Sequence, residues 1–72
     1  MLIKFRNLSG KYLRCIKEYG PIPEGTRAYC LHDIAPCDTN PEGLLRIFLE
    51  VPVLGVNEFK LTESAKENFK EL

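Results

Sequence analysis

Cys15, Cys30, His32 and Cys37 are the residues of this 72-residue sequence best suited to chemistry. Four soft ligands is the number a structural zinc site takes. Their spacing argues the other way. C-x-H-x4-C with a distant fourth cysteine matches no common zinc pattern, in which ligands come as close pairs. Cysteine is also among the most often buried residue types, where it packs as a small hydrophobe. Core or incidental thiols are therefore expected, with no metal and no cofactor. Zinc on Cys15, Cys30, His32 and Cys37 is the alternative.

The same residues suggest a nucleophile, Cys30 or Cys37, with His32 as its base. That chemistry needs a third group to orient the base, and a cleft. Asp33 and Asp38 are at hand, but neighbouring strand residues such as 32 and 33 point to opposite faces. A chain this short also leaves little room for a substrate pocket, which typically takes roughly 300–1,000 Å³. The sequence has no glycine-rich phosphate loop and no convincingly spaced pair of carboxylates. No enzymatic activity is expected.

A third constellation mixes basic and aromatic residues. Lys4, Arg6, Tyr12, Arg14 and Lys17, joined by Tyr19, Arg27 and Tyr29, are the types that build a stacking surface for single-stranded nucleic acid. Ten basic and ten acidic residues cancel overall, which removes a general electrostatic drive toward nucleic acid or membrane. No apolar run approaches the roughly 20 residues of a membrane span. Lys4 and Arg6 interrupt the beginning before a signal-peptide core forms. An odd number of cysteines, three, fits a reducing compartment. A cytoplasmic location is expected.

The elements that must position these groups are read from periodicity. "MLIKFRN" alternates, with Met1, Ile3 and Phe5 on one face and Lys4 and Arg6 on the other. "NLSG" is a turn. "KYLRCIKEY" reads as a second strand, and "TRAYCLHDI" as a third with Ala28, Cys30, His32 and Ile34 on one face. Residues 35–43 form a loop. "LLRIFLEV" is the clearest strand, with Leu45, Ile47, Leu49 and Val51 inward, and Pro52 ends or kinks it. "NEFKL" is a short fifth strand. From residue 62 the period becomes helical: Thr62 or Ser64 is a cap candidate, Ser64 and Glu67 fit a capping box, and a short helix or a single turn around 62–70 docks on the sheet through Phe69. Five short strands separated by turns predict one small all-β domain over residues 1–72, a barrel or a sandwich.

The stretch "GPIPEG", residues 20–25, connects the second and third strands. Two prolines fix φ and push Gly20 and Ile22 toward extended geometry. The loop is therefore stiff before folding, which lowers the entropy lost on closure. A hairpin symmetric about the loop would place Cys15 opposite Cys30 and Leu13 opposite His32. Either the stretch is no more than a pre-stiffened hairpin connection, or Ile22, held between Pro21 and Pro23, projects as a rigid apolar contact for a partner.

The order "GKYLRCIKEYGPIPEGTRAYCL" resembles small, largely uncharacterised proteins of bacteriophages and prophages. Cys15-Ile16-Lys17-Glu18 and Glu24-Gly25 fit the first half of their pattern, and "LTESAKENFKEL" their closing segment. The resemblance implies a Src-homology-three-like (SH3-like) small barrel of about five antiparallel strands with a short C-terminal helix, and a bacterial host. It carries no catalytic or binding residues.

These readings favour a protein-interaction module, a phage or prophage accessory protein that binds or inhibits a host protein or associates with itself. The expected contacts are Pro21, Ile22, Pro23, Leu44, Phe48, Val53 and Leu54. The alternative is a small nucleic-acid-binding barrel using Lys4, Arg6, Tyr12, Arg14 and Lys17. Neither a small-molecule substrate nor a membrane is inferred.

Overall fold

The structure, a computed structural model, describes residues 6–72. Alternating apolar and polar side chains resolve into five strands: β1 (Tyr12–Cys15), β2 (Arg27–Ile34), β3 (Leu44–Val53), β4 (Val56–Leu61) and β5 (Phe69–Glu71). All pairings are antiparallel, and the strands form one sheet in the order β4-β3-β2-β1-β5. The sheet is not closed: among the described residues no ladder joins β4 to β5. The strand expected over residues 1–7 lies mostly outside the described residues. The number five is reached instead through β5, which follows the segment expected to form a short helix or a single turn.

The C-terminal segment is a 3-10 turn, Glu63–Asn68, followed by β5. The expected capping box does not form. Thr62 makes no side-chain cap, and its hydroxyl meets Ser64 Oγ at 2.9 Å. So short a helix cannot hold itself, and pairing of β5 with β1 takes over. Phe69 is buried, as expected, but as a strand residue opposite Cys15. Among the described residues no helix is long and apolar enough to cross a membrane.

The core lies on the inner face of the sheet. Leu13 and Cys15 of β1, Ala28 and Cys30 of β2, and Leu45, Ile47 and Leu49 of β3 all point into it. Leu8, Ile22 and Ala65 close it from outside the strands. Ile22 is thus fully buried and does not project from the loop.

The burial of Ile22 and the hairpin register have one cause. Gly20 takes φ +55°, and Pro21 fixes its own φ near −65°. That pair makes a two-residue turn with glycine first. Tyr19 and Ile22 close it with reciprocal backbone bonds of 2.9 Å. The hairpin is therefore centred between Gly20 and Pro21 rather than between Ile22 and Pro23. Tyr12 pairs with Tyr29, Leu13 with Ala28 and Arg14 with Arg27. Cys15 bonds to Thr26 and Gly25, and Cys30 to Lys11 and Gly10, so the two cysteines do not face each other.

Two irregularities shape the rest. A bulge between Cys30 and His32 shifts β2 against β3. It turns Asp33 into the core and leaves His32 and Ile34 outside, where strict alternation had placed those two inward. On β3 the pairing with β4 breaks between Phe48 and Val53. The side-chain amide of Asn57 donates to the Leu49 carbonyl at 3.1 Å across the break. Pro52, which cannot donate to a ladder, sits in this stretch, and Val51 is exposed instead of continuing the apolar face.

Ile22 in the core and exposed Ile16 give an internal comparison. Shortening Ile22 to valine is expected to cost about 1 kcal/mol. The same change at Ile16 should leave the urea midpoint nearly unchanged. Equal midpoints for the two variants would contradict the burial of Ile22.

Candidate functional site

The soft ligands do not converge. Cys15 and Cys30 are buried at different levels of the core, Cys37 is exposed in the 35–43 loop, and His32 points outward. No group of three or more potential ligands forms among the described residues. Burial raises the Cys15 thiol, and burial followed by the charge of Asp33 pushes Cys30 to about 11. Their Sγ atoms lie 3.0 Å from the Lys17 carbonyl and 3.5 Å from the His32 carbonyl. Both behave as core groups. The Cys37 thiol is held lower by Thr39, 3.3 Å from its sulfur, but His32 Nδ1 lies 3.4 Å from Arg46.

Three other constellations do form. The first is the tip of the β3–β4 hairpin. Val53 pairs with Val56, so Leu54 and Gly55 are the whole turn. Both have positive φ, +53° and +76°, which is the type I′ geometry that favours Asn-Gly. A left-handed leucine costs roughly 1–2 kcal/mol. Leu54 is 86% exposed, with Val51 at 68% and Val56 at 45%. Beside the tip runs a groove of about 330 Å³ between Pro23–Arg27 and Glu50–Val53.

The second is the outer face of the sheet. Tyr12, Tyr29, Phe48 and Glu58 lie in register on four adjacent strands. The Tyr12 and Tyr29 rings meet edge to face, centroids 5.1 Å apart. One level along, Lys70, Arg14 and Arg27 occupy facing positions on β5, β1 and β2. On the other side lie His32, Arg46 and Lys60. Arg46 grips Glu58 through two bonds of 2.8 and 3.0 Å, which hold the Glu58 carboxyl below its ordinary range.

The third is buried and acidic. Asp33 Oδ2 accepts the Leu8 amide at 2.6 Å and the Lys66 ammonium at 2.7 Å. Lys66 also meets Glu63 at 2.6 Å. Asp33 Oδ1 and Glu63 Oε2 are buried with no donor, and a buried acceptor left so is costly. A proton on Glu63 donated to Asp33 would supply the missing donor. Burial, then that hydrogen bond, raises the Glu63 pKa. Burial works against the Lys66 charge, yet the two carboxylates outweigh it and its pKa rises.

The residues singled out in the sequence do not share one patch. Pro21 is exposed on its turn, Pro23 lines the groove, and Val53 packs partly against the core. Leu54 stands at the tip, Leu44 is half-buried at the opposite end of β3, and Phe48 belongs to the outer face. Of the basic–aromatic set, Tyr12, Arg14, Arg27 and Tyr29 come together. Tyr19 packs against the core, Lys17 lies in the 16–26 connection, and Arg6 pairs with Glu71. Lys4 lies outside the described residues. The exposure of Val51 and Val56 and the Asp33–Glu63–Lys66 cluster were missed. Pro52 was the one local signal for Val51, and the cluster had none, because its members meet only through the bulge.

Comparison with protein-family models, curated proteins and solved structures finds no match to this chain.

The raised Glu63 pKa fixes the sign of a pH effect. A carboxyl raised in the folded state stabilises fully below its ordinary pKa, 4.5, and loses that contribution as pH climbs through the raised value. Thermal melts should therefore show the wild type losing stability relative to Glu63→Gln as pH rises from 4.5. The glutamine amide still donates to Asp33 but does not ionise. Lys66 titrates above 10.5 and does not enter this window. Parallel melting curves for the two proteins would refute the shared proton.

Proposed function

We propose that this chain is a non-enzymatic protein-interaction module that engages its partner through the β3–β4 hairpin tip and the adjoining groove. Leu54 carries the reading. A type I′ turn built for stability would place asparagine where this leucine stands. The chain instead holds a bulky residue in left-handed backbone and exposes nearly all of it. Backbone strain that stabilises nothing locally is characteristic of functional positions. An exposed leucine flanked by Val51, Val56 and Pro52 forms an apolar knob, and the groove beside it adds Pro23 and Val53. Apolar anchors of this kind dominate binding energy in protein interfaces.

The finer fold we infer is an SH3-like small barrel. In support, the sheet is short-stranded and wraps one core, its last strand returns beside β1, and a 3-10 turn precedes it. The sequence resemblance to phage and prophage proteins supports a host protein as the partner, met in the bacterial cytoplasm.

Leu54→Asn separates stability from binding. It should raise the unfolding free energy by about 0.5–1 kcal/mol, because asparagine tolerates left-handed backbone. Immobilised wild-type protein should retain a stoichiometric protein from bacterial lysate that the variant fails to retain. Retention of the same proteins by both, or of nucleic acid alone, would overturn the reading.

A further inference from the structure

The outer face of the sheet lies apart from the hairpin tip and has a chemistry of its own. Lys70, Arg14 and Arg27 stand directly across from one another on three neighbouring strands. Like charges in facing positions destabilise a sheet. Among the described residues none of the three has an ion pair, whereas Arg6 and Lys11 share Glu71 and Arg46 holds Glu58. The chain has as many acids as bases, so the row reflects placement and not composition. One carboxylate, Glu50, shares a surface depression with Arg27 and Tyr12.

The neighbouring row is aromatic. Tyr12 is 65% exposed and Phe48 46%. With Tyr29 and the carboxylate of Glu50 they line a depression of about 210 Å³. Strands lie about 4.8 Å apart, and positions two apart along a strand are separated by roughly 7 Å. A row of cations thus runs parallel to a row of rings at about the scale of one nucleotide.

We propose that this face binds single-stranded nucleic acid, with Lys70, Arg14 and Arg27 on the phosphates and Tyr12, Tyr29 and Phe48 stacking on bases. The charge row selects the occupant. An apolar protein partner would leave three facing cations uncompensated, and a polyanion neutralises all three. Rings supply the preference for single strands, because paired bases do not offer their faces. Glu50 opposes binding.

The test is fluorescence anisotropy with labelled 12-nucleotide oligothymidine and oligouridine strands, and with a 12-base-pair duplex. Three neutralised phosphates predict a loss of about twentyfold in single-strand affinity as salt rises from about 50 to 200 mM. Tyr12→Ala and Phe48→Ala should each weaken binding about tenfold, with the fold of each variant checked by circular dichroism. Glu50→Gln should tighten it. The tighter of the two strands tells DNA from RNA. Leu54→Asn should leave this binding unchanged, so the outcome is independent of the hairpin-tip reading. The proposal is overturned by no anisotropy change at 50 mM salt, by equal affinity for duplex, or by unaltered binding in both alanine variants. It is equally overturned if the face proves to be a self-association surface, seen as a dimer that Phe48→Ala dissociates and that binds no strand.

Discussion

A carboxylate in an apolar interior must be met by donors or it unfolds its surroundings. Asp33 is in that position, and two segments of the chain are arranged to meet it. Its Oδ2 takes the Leu8 amide and the Lys66 ammonium. Its own amide donates to Ser9 Oγ at 3.0 Å. Lys66 reaches on to the Arg6 carbonyl. One side chain therefore ties the segment before β1 and the 3-10 turn to the C-terminal end of β2. Both attached pieces deliver core residues, Leu8 from one and Ala65 from the other. A domain this small has little apolar burial to spare, and these lids matter in proportion. Gly43 shows how tight the junction is. A Cβ there would come within 2.6 Å of the Ile34 carbonyl and 2.7 Å of Glu63 Cβ.

The bulge in β2 follows from the same constraint. Uninterrupted alternation would send His32 inward and Asp33 out. One extra residue reverses this, placing the carboxylate under the sheet and the imidazole on its surface. The zinc reading placed His32 on one face with Cys30, and the bulge puts them on opposite faces. A bulge made for a partner distant in sequence leaves no local mark, which is why periodicity missed it.

Much else was legible. The alternation of Leu45, Ile47 and Leu49 gave β3 its buried face directly, and the spacing of β2 and β4 followed from their turn residues. The hairpin register was legible only in part. Stiffness of "GPIPEG" was apparent, but the turn centre depends on the backbone of Gly20. The pairing moved by four residues, from His32 to Ala28 opposite Leu13. An even shift keeps every side chain on its own face and changes only its neighbour. Tyr12 and Arg14 therefore lie outward as expected, while their alignment with Tyr29 and Arg27 emerged from the structure. The C-terminal segment was legible as far as its turn, which holds Ala65; Phe69, at helical spacing from it, lies instead in a strand paired with Cys15. The two proposals rest on features that stability does not require: a left-handed leucine at the tip, and facing cations on the outer sheet.

The account stands on the buried carboxylate, and the amide that it holds reports on it directly. Native-state hydrogen exchange of Leu8, followed by NMR, should show protection comparable to that of the Cys30 amide in the centre of the sheet, because both then open only with the domain. Exchange of the Leu8 amide at the rate of an unprotected peptide, with Cys30 still protected, would contradict the anchor and the arrangement built on it.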